Sequence, residues 1–336
     1  MLLIDSVYIN SGGGYVLLKY LVEELTTREA EFILVLDERI GSDFVSIKNR
    51  VILAHSEFAR MRFYRHLPPK ITSVFCFANV PPPIKLNVPV YTYFHNINML
   101  TLQGWPTIRK QLQTLLKREY IKYLRCNTDK WIVQTTNTRD QLIRKVERKN
   151  EKILVYPFYN IDSLTTAVAS DEQKKDYALV GNYNNGAKGH VQLVKAWEIL
   201  AQKGYYPKLH LTVSDANDEF AKVLNHAIQC GARIKNHGNI KFEQVPNIYK
   251  QSKAVVYPSI NESLGLGIVE AISMGCDIVA SDLPFTHSIC FPTYVFDREN
   301  PESIADAIIR YETEPSPKSM LRIYNMIDDL ISVILK

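Results

Sequence analysis

The 336-residue chain has no apolar run approaching the ~18 residues that a membrane-spanning helix needs. Acidic Asp5 stands near its start with no basic stretch before it, which argues against a secretory signal. The five cysteines, Cys76, Cys126, Cys230, Cys276 and Cys290, are scattered, odd in number and never spaced Cys-x-x-Cys. A disulfide framework or zinc ribbon is not expected, and a reducing cytoplasm fits best. There is no His-Glu-x-x-His or similar ligand cluster, so no catalytic metal is implied. Gly-x-Ser-x-Gly and Gly-x4-Gly-Lys-Ser/Thr are also missing, which removes the nucleophile elbow and the P-loop. No repeat or low-complexity tract occurs.

What is present is globular: 46% hydrophobic and 22% charged residues. The length suggests two domains of roughly 150 residues. Charge divides unevenly between them. Residues 1–160 carry 23 Lys/Arg against 14 Asp/Glu, and residues 161–336 carry 17 against 21. The basic half points to an anionic partner such as nucleic acid, anionic lipid or a phosphorylated substrate. No nucleic-acid motif accompanies the charge. Arg109–Arg125 interleaves six basic residues with Leu112, Leu115, Leu116, Tyr120 and Leu124. That stretch reads either as a basic amphipathic helix on an anionic membrane face or as a helix that packs its leucines and solvates its charges. Arg60, Arg62 and Arg65 form a second candidate patch.

Short apolar runs alternate with helix-length amphipathic stretches. Strands are expected at Leu2–Ile4, Phe32–Leu36, Val51–Ala54, Ser73–Phe77, Pro89–Phe94, Trp131–Gln134 and Ile153–Tyr156. After a polar lapse around Asn160–Lys175 the alternation restarts at Tyr177–Val180, Leu209–Val213, Ala254–Tyr257 and Asp277–Ala280. This pattern predicts two α/β domains with parallel sheets, 1–160 and 161–315. A final helix is expected over 316–336, with Ser316 as N-cap and Pro317 in its first turn, packing back toward the N-terminal domain.

The richest segment is Val255-Val256-Tyr257-Pro258-Ser259, then Ile260 through Gly275, then the run Asp277–Ser281. A buried strand ends in a turn, and a Gly-containing loop opens a helix. Free N–H groups at that helix start, near Gly265 and Leu266, make an anion site. Glu262 stands just before the helix and Glu270 about five residues inside it, roughly 7–8 Å along the axis. That is about the reach from a diphosphate to a ribose, whose hydroxyls a carboxylate can accept.

This Glu-x7-Glu segment, with its Glu-Ala-Ile-Ser-Met-Gly continuation, resembles retaining glycosyltransferases of the GT-B fold, especially family 4 (group 1). The resemblance implies two Rossmann-like domains whose parallel sheets face across a cleft. It implies a nucleotide-diphosphate sugar as donor substrate, with no cofactor. The absence of Asp-x-Asp argues against the metal-dependent GT-A type. Gly181–Gly189 is similar to the loop where that family clamps the diphosphate with an Arg and a Lys. Lys188 matches the Lys, whereas Asn182 stands at the Arg position. Either Lys188 and the helix terminus suffice, or another cation fills in, or activity is lost. His237-Gly238-Asn239 resembles the loop beside the nucleobase. Ser214 and Asp215 fall where the family lines its nucleotide pocket.

In the first half, the resemblance makes Gly12-Gly13-Gly14, read as a tight loop after the first strand, the segment over donor phosphates and acceptor. His95, ending an apolar strand, corresponds to a His that contacts the donor sugar. The catalytic set implied is His95, Glu262 and Lys188. The donor-binding set is Gly13, Gly14, Asn182, Lys188, Ser214, Gly238, Glu262, Gly265, Leu266 and Glu270. The expected reaction moves a sugar to a glycan or lipid-linked glycan, with the leaving phosphate helping to deprotonate the acceptor. The expected location is cytoplasmic, peripheral on the inner face of the membrane, without a nucleic-acid partner. Two alternatives stand beside it. One is a catalytically weak GT-B scaffold that binds nucleotide-sugar or glycan. The other is an oxidoreductase on the first Gly loop, disfavoured by Leu17 in place of the third glycine.

Overall fold

Runs that are apolar on both faces form parallel strands covered by helices, and the first half of the chain is built this way. In the computed structural model, which describes residues 1–101, 107–161, 174–183, 187–214 and 218–336, the chain divides into two compact units. The first comprises Met1–Leu102, Thr107–Asn160 and Tyr324–Lys336, and the second Ile161–Ile323.

The first unit's strands are β1 (Leu2–Asp5), β2 (Phe32–Asp37), β3 (Arg50–Leu53), β4 (Ser73–Cys76), β5 (Val90–Phe94), β6 (Lys130–Val133) and β7 (Ile153–Val155). They form one parallel sheet in the order β3-β2-β1-β4-β5-β6-β7. Its helices are α1 (Gly12–Thr27), α2 (Glu57–Tyr64), α3 (Ile108–Leu124) and α4 (Thr136–Leu142). Leu17, Leu21 and Leu25, at helical spacing, bury the inner face of α1.

The second unit contains β8 (Asp176–Leu179), β9 (Leu209–Leu211), β10 (Ile234–Asn236), β11 (Ser252–Tyr257), β12 (Asp277–Ser281) and β14 (Tyr294–Phe296). These form a second all-parallel sheet, β10-β9-β8-β11-β12-β14. Its helices are α5 (His190–Gln202), α6 (Asp218–Gln229), α7 (Val245–Gln251), α8 (Leu266–Ser273), α9 (Pro284–Ile289) and α10 (Pro301–Thr313). In each sheet the strand order reverses beside the first strand, between β1 and β4 and between β8 and β11. Open α/β sheets place ligands at such switch points, outside the carboxyl ends of the strands.

Two sequence expectations are corrected. Gly12–Gly14 do not form a loop: α1 begins at Gly12, and Gly13 and Gly14 lie in its first turn. Nor do residues 316–336 form one helix. Pro315 and Pro317 favour extended backbone around Ser316. Ser319 Oγ accepts the N–H groups of Ile278 and Thr293, while Lys318 Nζ and the Ser319 N–H donate to Asp277. The short β15 (Met320–Leu321) then pairs antiparallel with β13 (Cys290–Phe291). Only α11 (Ile327–Ile334) is helical, and it lies in the first unit. There Asn325 Nδ2 donates to the Tyr20 hydroxyl and Ser73 Oγ to the Ile334 carbonyl.

Candidate functional site

At the switch point of the second unit, the segments leaving β8 and β11 meet. The Ile260 N–H donates to the Ala187 carbonyl at 2.9 Å, stitching the two together. Gly189 makes the approach possible. Its φ is +68°, and a Cβ there would lie 2.3 Å from the Pro258 carbonyl oxygen. No other residue fits that position. The consequence is that Lys188 meets a residue 74 positions away: its Nζ lies 2.6 Å from Glu262 Oε1 and donates to the Tyr257 hydroxyl at 3.2 Å.

The Lys188 and Glu262 side chains keep 25% and 18% of their surface exposed, so a ligand can reach the pair. Burial works against the ammonium charge of Lys188, but the Glu262 carboxylate outweighs it and holds Lys188 protonated, above the ordinary lysine range. The cation at this point is therefore permanent around neutral pH.

The segment after Glu262 ends at Gly265, the N-cap of α8, which makes no side-chain cap. The Gly265 carbonyl accepts from Ile268 and Val269. The N–H groups of Leu266 and Gly267 belong to the first turn, where an α-helix offers no internal acceptor. Four residues on from Leu266, about 6 Å along the axis, Glu270 Oε2 accepts from the Tyr249 hydroxyl at 3.2 Å. Burial pushes the Glu270 carboxyl up to about 7, against the opposing pull of that hydroxyl and of the Lys188 charge. The two glutamates thus differ in kind. Glu262 is an ion-paired carboxylate, while Glu270 lies near its protonation midpoint at neutral pH.

Asn182 is exposed after β8, and its Oδ1 accepts from both the N–H (3.0 Å) and the Oγ (2.7 Å) of Ser214. It ties the segments after β8 and β9 together but supplies no charge where the resemblance calls for an Arg. Gly238, at φ +68°, donates its N–H to Asn236 Oδ1, which also accepts from Val213. The side chain of His237 is taken up by His210, which in turn bonds Asp176, so that imidazole is a structural link. Asp215 and residues 184–186 of the Gly181–Gly189 segment lie outside the described residues.

Gly13, Gly14 and His95 belong to the first unit. A Cβ on Gly14 would sit 2.9 Å from His95 Nε2, so glycine in the first turn of α1 lets that turn press onto the imidazole. Asn79 Oδ1 accepts the N–H groups of His95 and Asn96. The ring packs against Tyr93 and Phe77. Burial lowers the His95 imidazole to about 4, with a backbone hydrogen bond at Phe77 acting in the opposite direction, so the ring is neutral at physiological pH.

Sequence reasoning missed Tyr257, Tyr249, Gly189 and Asn236. Tyr257 ends an apolar run and reads as core, Tyr249 stands in a mixed stretch, and only their hydroxyl partners reveal them. The second basic patch also needs correction. Arg60 is buried and doubly bonded to Asp5, so of that trio only Arg62 and Arg65 face solvent. By contrast, α3 leaves Ile108 84%, Leu112 55% and Leu116 63% exposed, beside exposed Arg109, Lys110 and Lys117. Among the described residues no helix is long and apolar enough to cross a membrane.

Known proteins resemble this chain in sequence and in fold. Residues 160–326 match the family described as glycosyl transferases group 1. The chain is 24% identical over 197 residues to the GtfA subunit of the UDP-N-acetylglucosamine–peptide N-acetylglucosaminyltransferase of Streptococcus pneumoniae serotype 4. That match covers 55% of this chain and 36% of the relative, so the chain spans little more than a third of that protein. The fold is that of sucrose-phosphate synthase from Thermosynechococcus elongatus, with a TM-score of 0.69, 16% identity, and 94% and 90% of the two chains covered. It is also that of Anabaena HepE, solved with UDP and glucose, with a TM-score of 0.63, 14% identity, and 93% and 89% covered. The match of residues 160–326, about half of the chain, together with two parallel-sheet α/β units and these structural neighbours, supports a group 1 glycosyltransferase of the GT-B fold.

Proposed function

We propose that the chain is a retaining glycosyltransferase that moves a sugar from a nucleoside-diphosphate donor to a glycan or lipid-linked glycan. The observation that carries this reading is the Lys188–Glu262–Tyr257 cluster beside the start of α8, with Glu270 about a turn further in. In this reading the diphosphate takes up the Lys188 ammonium and the N–H groups of Leu266 and Gly267. Glu262, released in part from the lysine, accepts from hydroxyls of the donor sugar. Glu270 accepts from the ribose hydroxyls, and the Gly238 turn lies beside the base. Positive potential fixed at the leaving diphosphate stabilises charge as the glycosidic bond breaks. It is supplied by Lys188 and the helix terminus rather than by a metal.

For the first unit the roles carried over are those the resemblance implies: His95 on the donor sugar, and Gly13 and Gly14 near phosphate and acceptor. A neutral His95 donates or accepts a hydrogen bond without adding charge. The names of the relatives support a nucleotide-sugar donor, since one uses UDP-N-acetylglucosamine and another was solved with UDP and glucose.

The acceptor reading rests on α3. An apolar stripe at i, i+4 and i+8 that is left in solvent and flanked by cations fits the headgroup layer of an anionic bilayer. Vesicles containing anionic lipid should pellet the protein and neutral vesicles should not. Leu112→Glu with Leu116→Glu should abolish pelleting while leaving nucleotide affinity intact. Equal pelleting of both vesicle types, or no effect of the substitutions, would remove the membrane face.

Asn182 favours a second reading, a scaffold that binds nucleotide-sugar without turnover. A donor-hydrolysis assay separates the two. A transferase slowly passes its sugar to water and loses that activity in Lys188→Ala, whereas a scaffold binds the donor and releases no sugar.

A further inference from the structure

Away from the donor site, α5 and α6 pack side by side and bring three potential metal ligands together. His226 and Cys230 are four residues apart. The Cys230 N–H donates to the His226 carbonyl, continuing the helical pattern and stacking the two side chains on one face. Cys230 Sγ lies 3.7 Å from His226 Nε2. Glu198, on α5, places Oε1 3.5 Å from that same nitrogen. The three ligand atoms lie within 4.8 Å of one another.

These spacings match the edges of a small coordination polyhedron. Zinc–nitrogen and zinc–oxygen bonds of about 2.0–2.1 Å and a zinc–sulfur bond of about 2.3 Å, at tetrahedral angles, put neighbouring ligand atoms about 3.3–3.6 Å apart. The two distances from His226 Nε2 lie within a few tenths of an ångström of these values, and rotation of the exposed Cys230 side chain brings its sulfur and the Glu198 oxygen, within 4.8 Å, to the same spacing. Glu198 Oε1 also accepts from Gln202 Nε2 at 3.4 Å, an outer partner that holds the carboxylate in place. His226 and Cys230 are exposed, so an ion can enter and a water can complete the shell. The imidazole links the other two groups, with Cys230 Sγ on one side of Nε2 and Glu198 Oε1 on the other.

We propose that Glu198, His226 and Cys230 form a binding site for a zinc-class divalent cation that clips the C-terminal end of α6 to α5. Thiolate and imidazole select borderline-soft ions over calcium or magnesium. Binding forms the metal–sulfur bond and releases the thiol proton to solvent, so affinity rises with pH. The clip is independent of sugar transfer. It lies at the C-terminal ends of helices whose N-terminal ends adjoin the segments carrying Lys188 and Ser214.

The test uses untagged, full-length protein, stripped with chelator and kept reduced. Cobalt(II) titration should give an intense near-ultraviolet thiolate-to-metal band and visible absorption of a four-coordinate ion, saturating at one equivalent. Zinc should displace the cobalt. Cys230→Ser should lose the thiolate band, and His226→Ala and Glu198→Gln should each weaken binding at least about tenfold. Cys126→Ser, altering the other exposed thiol, should leave the titration unchanged. Matching melting curves in chelator would establish that the variants fold. A cobalt complex without the thiolate band, or wild-type affinity in both Cys230→Ser and His226→Ala, would overturn the proposal.

Discussion

Each unit sets a charged pair with a tyrosine close to the carboxyl edge of a sheet, and the two pairs serve opposite ends. In the first unit Arg60 gives Nε and Nη2 to Asp5, Nη1 to Glu57, and further bonds to the carbonyls of Val80 and Pro81, while Tyr64 also donates to Asp5. Arg60 and Asp5 are 2% and 1% exposed. In the second unit Lys188 gives two of its three donors to Glu262 and Tyr257 and stays a quarter exposed. A sealed pair lies out of a ligand's reach and holds structure. An open pair keeps its charge where solvent can reach it, as the proposed diphosphate site requires. Sequence charge alone cannot separate the two; the number of satisfied donors and the exposure do.

Breaking each pair should therefore fail in different ways. Arg60→Ala leaves Asp5 buried and unpaired and should cost about 3–5 kcal/mol of stability, read as a lower midpoint in urea. Lys188→Ala should leave that midpoint near wild type. It should instead weaken nucleoside-diphosphate binding by ~10- to 150-fold, the equivalent of a charge-assisted hydrogen bond of about 1.5–3 kcal/mol. If the two variants exchanged behaviours, the comparison would collapse.

The next effect is on pH. Glu270 binds its proton more tightly in the folded protein than its ordinary value near 4.5 allows, holding it to about 7. Its contribution to stability is complete below about 4.5 and is lost as pH rises through about 7. Donor binding should run the other way. Ribose hydroxyls need the carboxylate, so calorimetric affinity should rise from pH 6 to pH 7.5, by at most about tenfold per unit. Glu270→Gln should bind weakly with a flat profile and match or exceed wild-type stability at pH 8. A pH-independent wild type would contradict the role given to Glu270.

The smallest effect concerns Asn182. Its two bonds to Ser214 lie at the surface, so Asn182→Ala should weaken nucleotide binding only about threefold, from roughly 0.5–1 kcal/mol of lost loop order. A loss as large as that of Lys188→Ala would mean that Asn182 itself touches the diphosphate.

Much of this was legible in the residues, and the reasons are specific. Apolar runs such as Ile278–Ala280 are buried on both faces, so their composition announces parallel strands. The Glu262–Glu270 spacing is readable because a helix start converts sequence distance into axial distance. β10 escaped because Ile234-Lys235-Asn236 is a half-exposed edge strand with no apolar pattern. The C-terminal helix was overextended because tertiary bonds from Asp277 and Ser319 override the local N-cap signal at Ser316. The Glu198–His226–Cys230 group was invisible because it needs two helices packed together. Only its His-x3-Cys half lies within one stretch of sequence.

The central claim is that Lys188 and Glu270 hold a nucleoside diphosphate at the switch point of the second sheet. The most direct measurement is the melting temperature of the wild type, Lys188→Ala and Glu270→Ala with millimolar UDP-, GDP- and dTDP-sugars. A ligand that binds only the folded state must raise it. The account predicts that one nucleotide series stabilises the wild type and that both variants lose the shift. No shift with any of the three, or a full shift in both variants, would contradict it.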